Sequence, residues 1–421
     1  MKNKYFTGFS CINCKSAYGP DEDVLLCTKC HNLLEALYDY DQLKKDWATL
    51  DVKSRPNDIW RYKELMPVVD FDQIVTLGEG GVPILDCPEL AAEIGIKNFY
   101  VMCDSVLPTG SLKDRTIAVT ATKAKEFGYK VLTCDSSGNK AASVAAYAAR
   151  AGLKSVVFVP DGTPAPKVAQ AIFHGAQLVK IKSDYSGMGR MYHEIIASQR
   201  YKWYDCGTNN PFRYEGKKTY AFEILERLDG IAPDYLLHPA SLGMSIVKAW
   251  KGFHEAEKLG MMKEIKYPKM VACQAETCGP VVTAINEGAD HVTPVPRAAT
   301  VATAISVADP ELIGEETLRS VKESGGLGVH ISDEDLLKMW QRLPKAGIFC
   351  EPSAAISVAS AYKMAEQGRF KGDEVLVAMV TGSGFKDISR VNDYVKMPDS
   401  SVESVEELFT NLDQMCKEHN L

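Results

Sequence analysis

The sequence predicts an α/β protein, a doubly wound parallel sheet preceded by a small four-cysteine knuckle. Two patterns carry that prediction. Short apolar or β-branched runs at 99–103, 131–134, 155–159, 177–181, 235–238, 270–274 and 375–380 are separated by amphipathic stretches of helical period. Strands that alternate with helices require parallel crossovers, which cover both faces of a sheet. Ahead of them, Cys11, Cys14, Cys27 and Cys30 follow the spacing Cys-x2-Cys-x12-Cys-x2-Cys. That spacing lets four thiolates converge on one tetrahedral ion.

The knuckle, 1–35, comes first. Four thiolates close the coordination of a structural ion, so Zn(2+) is expected there, with a rubredoxin-type iron as the alternative. His31, beside Cys30, is a bystander unless one thiol is loose. Residues 33–66 read as a polar helical link carrying Trp47, Trp60 and Tyr62 and broken at Arg55-Pro56-Asn57. The alternating segment then runs to about Val395. A short acidic amphipathic helix, 402–418, follows as a surface-packing element.

At 421 residues the chain has room for two or three domains. Its 46% hydrophobic and 24% charged residues are the balance of an ordinary globular chain, neither disordered nor fibrous. A formal charge of -7 gives no general attraction to nucleic acid or acidic membranes, so the expected partners are small, locally recognised molecules. Met1 to Tyr5 lacks the apolar core of a signal peptide and no apolar run approaches the ~20 residues of a membrane span, which makes a cytosolic location the expectation. The remaining eight of the 12 cysteines, Cys87, Cys103, Cys134 and Cys350 among them, read as reduced small hydrophobes in apolar surroundings.

Three loops at carboxyl ends of predicted strands carry chemistry. Pro108 to Arg115 sets Lys113 at a glycine-containing turn before a helix, where a lysine either forms imines or is a solvated first-turn residue. Asp135-Ser136-Ser137-Gly138-Asn139 precedes an alanine-rich helix and is either a nest for an anion such as a carboxylate or an ordinary Ser/Asn cap. Thr381-Gly382-Ser383-Gly384 lets backbone approach a ligand, or is a plain turn. In a doubly wound sheet such loops converge. A lysine, an anion nest and a polar glycine loop around one crevice suit a carbonyl cofactor with an amino acid, and pyridoxal 5'-phosphate is the natural choice.

Trp60-Arg61-Tyr62, Leu77 to Gly80, Pro108 to Arg115, Ser136 to Asn139, Asn210 to Thr219, Thr300 to Ile305, Glu323 to Gly326, Glu351-Pro352-Ser353 and Thr381 to Asp387 resemble successive blocks of threonine synthase. The resemblance covers roughly 60–395 in order. It implies the fold type II, tryptophan synthase β-like architecture of pyridoxal-phosphate enzymes. Two doubly wound domains would follow the knuckle: a large one from 36–117 plus 218–395, and a small mobile one from 118–217, with a helical tail at 396–421. The knuckle is similar to those on some archaeal and bacterial members, and a homodimer is implied, although no heptad or apolar stripe shows it independently.

By the same resemblance Lys113 would form the internal aldimine and later carry protons between carbon centres. Asn139 would bond the cofactor's phenolic oxygen, Thr381 would face its ring nitrogen, and Ser241, Gly243 and Ser245 would hold its phosphate. Ser136, Ser137 and Gly138 would take the substrate carboxylate. Asn210 and Arg213 would take the phosphate of O-phosphohomoserine, which water would convert to threonine and free phosphate.

The chain departs from the family pattern at three places. The cofactor-phosphate loop, normally rich in glycine and asparagine, is His238-Pro239-Ala240-Ser241-Leu242-Gly243-Met244-Ser245, with the bulk of Leu242 and Met244 beside the phosphate. Lys140 stands where the family has a small residue or threonine; it is either an outward-pointing helix residue or a substrate-binding cation for an anion such as sulfite or phosphate. Gly81-Val82 replaces Asn-Thr. Two other functions stay open on these grounds. One is a β-replacement enzyme similar to cysteate synthase, exchanging the phosphate of phosphoserine for sulfite. The other is a catalytically silent member whose knuckle binds a macromolecule, with Asp21, Glu22 and Asp23 against Lys15 and Lys29 arguing against nucleic acid.

Overall fold

All seven predicted runs form strands, and they sort into two parallel sheets. The computed structural model describes residues 1–183, 185–296, 298–397 and 401–419. In chain order the strands are β1 (Phe6–Cys11), β2 (Ala17–Tyr18), β3 (Leu34–Tyr38), β4 (Ile84–Asp86), β5 (Asn98–Cys103), β6 (Val131–Asp135), β7 (Lys154–Pro160), β8 (Gln177–Ile181), β9 (Tyr204–Asp205), β10 (Tyr235–Pro239), β11 (Lys269–Ala275), β12 (Leu327–Ile331) and β13 (Val375–Val380). The larger sheet runs β12-β11-β10-β13-β5-β4 and is parallel except at the β4 edge. The smaller, β8-β7-β6-β9, is parallel throughout. Every residue of the central strand β10 is buried, which is why these strands read as continuous apolar runs rather than alternating ones.

The helical link expected over 33–66 begins instead as a strand. Leu34, Ala36 and Tyr38 are buried while Leu37 is exposed, a period of two over too few residues to stand out from helical patterning. Helix is confined to Tyr40–Trp47, where the Asp39 side chain accepts from Gln42 N as an N-cap, and Ile59–Leu65 is wound as 3-10 turns. With β1 and β2, β3 makes an antiparallel ribbon that carries the four cysteines.

Aromatic and ionic contacts fasten this ribbon to the larger body. Phe9 meets Phe212 edge-on with ring centroids 4.8 Å apart. Glu35 of β3 pairs with Lys248 at 2.9 Å and with Lys251, and both lysines also reach the buried Glu215, at 2.7 and 3.0 Å. Lys218 completes the group at 2.8 Å from Glu215 and 3.1 Å from Glu255, so each of these three lysines has a carboxylate.

Residues 387–421 form a unit of their own. In it the expected last helix is Val405–His419; of the predicted tail, 398–400 and 420–421 lie outside the described residues. Cys416 is exposed there, contrary to the expectation for the lone cysteines, whereas Cys87, Cys103, Cys134, Cys206, Cys273, Cys278 and Cys350 are buried. Among the described residues no helix is long and apolar enough to cross a membrane.

Candidate active site

Lys113 opens the helix Lys113–Glu126 immediately after a loop that turns at Gly110, φ +81°, a left-handed conformation that favours glycine. That loop is stitched to the one following β13. Leu112 N donates to Thr381 O and Ser383 N to Gly110 O, both at 2.9 Å, and Ser111 bridges Gly382. Asp114 fixes the turn from inside, accepting from Thr109 N at 2.7 Å, Thr109 Oγ1 at 2.6 Å and Ser143 Oγ at 2.7 Å. Burial, and then the charge of Arg213, lowers the Lys113 amine to about 8, with Lys140 acting in the same direction and Glu351 against it. A substantial neutral fraction near neutral pH makes it a competent nucleophile.

The second loop is not a Ser/Asn cap. Gly138 caps the helix Asn139–Ala151 without a side-chain bond, and Ser136 Oγ accepts from Gly138 N at 3.3 Å, with Ser137 half-buried between them. The first-turn amides thus keep the character of an anion site. Asn139 Nδ2 donates to Glu351 Oε1 at 3.0 Å and Oε2 at 3.3 Å, and Glu351 N donates to Gly382 O at 3.0 Å. Glu351 therefore ties the second loop to the third. Thr381, buried at the end of β13, lies in that third loop.

Lys140 does not point outward. Its side chain is only 11% exposed and Nζ lies 2.6 Å from Asp135 Oδ1, because the carboxylate at the end of β6 draws it back across the first helical turn. Asn210 is fully buried with its amide committed to backbone: Oδ1 accepts from Phe212 N and Arg213 N, and Nδ2 donates to Asp205 O at 2.9 Å. It holds Arg213, whose Nη1 donates to Gly207 O at 3.0 Å and Tyr214 OH at 3.2 Å while its buried Nε has no partner among the described residues.

The loop after β10 is braced from behind. Gln274 Nε2 donates to Ala240 O at 3.1 Å and Ser241 O at 3.2 Å, and Thr317 Oγ1 donates to Leu242 O at 2.9 Å. Leu242 and Met244 pack with Leu33, Tyr214, Val247 and Ile313 in an apolar cluster, so their bulk goes into the core and not onto the loop's ligand face. Gly243 sits at φ +94° at the start of the helix Met244–Lys258, and a Cβ there would come 2.2 Å from Thr317 Oγ1. Gly243→Ala is expected to cost about 1–3 kcal/mol in urea unfolding through strain and clash together; an unchanged midpoint would refute this account of the loop. Ser245 Oγ accepts from Lys217 Nζ at 2.8 Å.

Known proteins resemble this chain in sequence and in fold. Residues 75–382 match the family described as pyridoxal-phosphate dependent enzyme. The chain is 38% identical over 399 residues to the threonine synthase of Methanocaldococcus jannaschii, covering 94% of this chain and 95% of that one. The chain belongs to the threonine synthase family of pyridoxal-phosphate-dependent enzymes. The Methanosarcina acetivorans threonine synthase is also 38% identical, over 94% of this chain and 97% of its own. In three dimensions a fungal L-serine ammonia-lyase from Rhizomucor miehei superposes with a TM-score of 0.64 at 17% identity, covering 74% of this chain and 96% of that one. This likeness shows the shared fold.

The side chains fit the threonine synthase family's cofactor. A lowered lysine amine and, at the loop after β10, a helix start without a side-chain cap are the groups that an aldehyde bearing a phosphate calls for. Sequence reasoning passed over Glu351 and Lys217, although both stand in the blocks that carried the resemblance. The Glu-Pro-Ser start of the helix Pro352–Glu366 was a signal for the first; the Lys-Lys pair at 217–218 was a weaker one for the second. At Gly81, φ +56°, a Cβ would lie 1.9 Å from Asn57 O, a steric reason for glycine there.

In the ribbon, the ligand atoms of Cys11, Cys14, Cys27 and Cys30 all lie within 4.8 Å of one another. Tyr18 OH donates to Cys27 Sγ at 3.2 Å, and that bond is the main cause pulling the Cys27 thiol down to about 5. His31 is exposed and is not part of this cluster.

Proposed function

We propose that the chain is a threonine synthase, converting O-phosphohomoserine and water to threonine and phosphate. The observation that carries this reading is the gathering of cations at Lys113: Arg213 acts on its charge, and Lys113 and Arg213 act on Lys217. Two phosphates and a carboxylate are the anions that such a reaction brings to one site.

Bound, pyridoxal phosphate supplies an aldehyde that joins amino groups and a ring that takes up electrons when a proton leaves carbon. Lys113 would hold it through Nζ and, when that amine is free, would carry protons at Nζ between the substrate's carbons. Asn139 donates toward the phenolic oxygen, kept in place by Glu351. Thr381 would face the ring nitrogen with a neutral hydroxyl, which would not enforce a protonated ring as a carboxylate would. Ser241, Gly243 and Ser245 hold the cofactor phosphate. Ser136, Ser137, Gly138 and the first-turn amides hold the substrate carboxylate, and Arg213, set by Asn210, holds the substrate phosphate.

The reading includes a cytosolic homodimer and the division into 36–117 plus 218–395 and a mobile 118–217. It is tested by phosphate release. Release from O-phosphohomoserine with no added nucleophile is the expected result; sulfite-dependent release from phosphoserine would replace this reading by the β-replacement one. Lys140 does not favour the second, because Asp135 already offsets its charge. No visible change in the cofactor with either substrate would leave the silent-member reading.

The four thiolates are proposed to hold a structural zinc ion, a set that leaves no position open for water. Metal analysis is expected to give one zinc per chain in the wild type and none in Cys27→Ser, whose melting temperature falls because metal binding is part of the ribbon's folding free energy. A visible iron-thiolate absorbance would replace zinc by iron.

A further inference from the structure

We propose that Lys217, through Nζ, supplies the counter-charge for the cofactor's phosphate beside the Leu242-Gly243-Met244 loop. The inference rests on the pyridoxal-phosphate site read above and assigns a binding residue outside the loop itself.

Lys217 and Lys218 are neighbours on one 3-10 turn, Glu215–Lys218, and both are buried, at 5% and 0% exposure. Their surroundings differ. Lys218 lies between Glu215 and Glu255 in the ion network described above. Lys217 donates to the Ser245 hydroxyl at 2.8 Å, and among the described residues no carboxylate stands within ion-pairing distance of it. The charges that act on it are mostly of its own sign, Lys113 and Arg213; Asp104 opposes them but is already engaged by Arg115 and Tyr220. Burial, then these cations, holds its amine well below the usual lysine range.

A buried ammonium without a carboxylate is costly, so the position makes sense when an anion completes it. Three features fix where that anion sits. Ser245 is in the first turn of the helix Met244–Lys258, whose start at Gly243 has no side-chain cap. His238, at the end of β10 leading into the same loop, is fully buried with neither ring nitrogen hydrogen-bonded among the described residues, and burial followed by Lys217 lowers it to about 3. A neutral His238 leaves Lys217 as the cation at this end of the site. Gly216, the residue before, is packed so that a Cβ would lie 1.9 Å from Arg115 O, which fixes the turn against the helix that begins with Lys113.

The test compares pyridoxal phosphate with pyridoxal, which has the aldehyde but no phosphate, as ligands of the full chain stripped of cofactor. Lys217→Met is expected to weaken pyridoxal phosphate binding about 10- to 100-fold, as loss of a charge-assisted hydrogen bond to a buried anion does, and to change pyridoxal binding by no more than about twofold. Lys217→Arg is expected to recover most of the loss. The stripped Lys217→Met chain is expected to melt above the stripped wild type, since an uncompensated buried amine is gone. Equal affinity in variant and wild type, a parallel loss for both ligands, or a lower melting temperature overturns the inference and makes Lys217 a packing residue. A wild type that takes up neither ligand overturns the cofactor reading beneath it, a result distinct from the first three.

Discussion

Lys113→Ala is expected to abolish turnover and to remove the visible absorbance of a lysine-bound cofactor together. Both losses come from one atom. On the proposed reading Nζ would be the attachment point and, after displacement by substrate, the base at the α-carbon. General base catalysis alone accounts for roughly 10²- to 10⁴-fold, and loss of the covalent step adds to it, so kcat is expected to fall by about 10⁴-fold or more. Lys113→Arg keeps the charge without a nucleophilic amine and is expected to be equally inactive, which separates attachment from electrostatics. The amine's value of about 8 sets a pH signature. Because the shift is downward, the neutral form accumulates as pH rises, and the rate at which stripped protein captures pyridoxal phosphate should climb about tenfold per pH unit below 8 and level off above it. Stopped-flow absorbance reads this directly. A rate still climbing at pH 10 would mean that burial and Arg213 do not set the amine as described; retained colour and turnover in Lys113→Ala would remove the lysine from the mechanism.

The apolar runs and the order of the blocks were legible because their signals are local: β-branched stretches between amphipathic ones, and a lysine after a glycine turn. What escaped depends on contacts distant in sequence. Glu351 gains its meaning from Asn139, 212 residues away, and no spacing rule connects them. Lys140 was ambiguous because orientation on a first helical turn is decided by Asp135 across the loop. Leu242 and Met244 looked obstructive in a phosphate loop, and only the apolar cluster with Leu33 and Ile313 shows where their volume goes. Leu34–Tyr38 was read as helix since five residues of alternation carry little weight beside a polar amphipathic stretch, and the ribbon's pairing with β1 overrides local preference.

Arg115→Met is expected to be the most destabilising single change considered, at about 3–5 kcal/mol in urea unfolding, because it leaves buried carboxylates without their cation. Two residues after Lys113, Arg115 is fully buried. Its Nε donates to Asp104 Oδ1 at 3.0 Å and its Nη2 to Asp104 Oδ1 at 2.9 Å and Glu223 Oε2 at 3.0 Å, while Nη1 reaches Thr219 Oγ1 at 2.8 Å and Glu223 Oε1. The guanidinium also lies 4.5 Å from the Tyr220 ring centroid, and Tyr220 OH donates to Asp104 Oδ2 at 2.5 Å. This fork fastens the first turn of the Lys113 helix to the helix Thr219–Arg227, so it places the reactive amine as well as the core. Burial already raises Asp104 above the usual carboxylate range, and Arg115 is the chief opposing influence. Removing it raises Asp104 further. A carboxyl whose folded pKa exceeds its unfolded one binds more protons when folded, so stability falls as pH rises between the two values. The cost of Arg115→Met should therefore be smaller near pH 5 than at pH 8. Arg115→Lys is expected to fall between wild type and Met, because an ammonium keeps the charge but cannot bridge two carboxylates with a planar fork. In the double variant Asp104→Asn with Arg115→Met the loss should be less than the sum of the single losses, since one of the two stranded charges, Asp104, is gone while Glu223 remains. Strict additivity, or a cost independent of pH, would show that the arginine acts by volume alone.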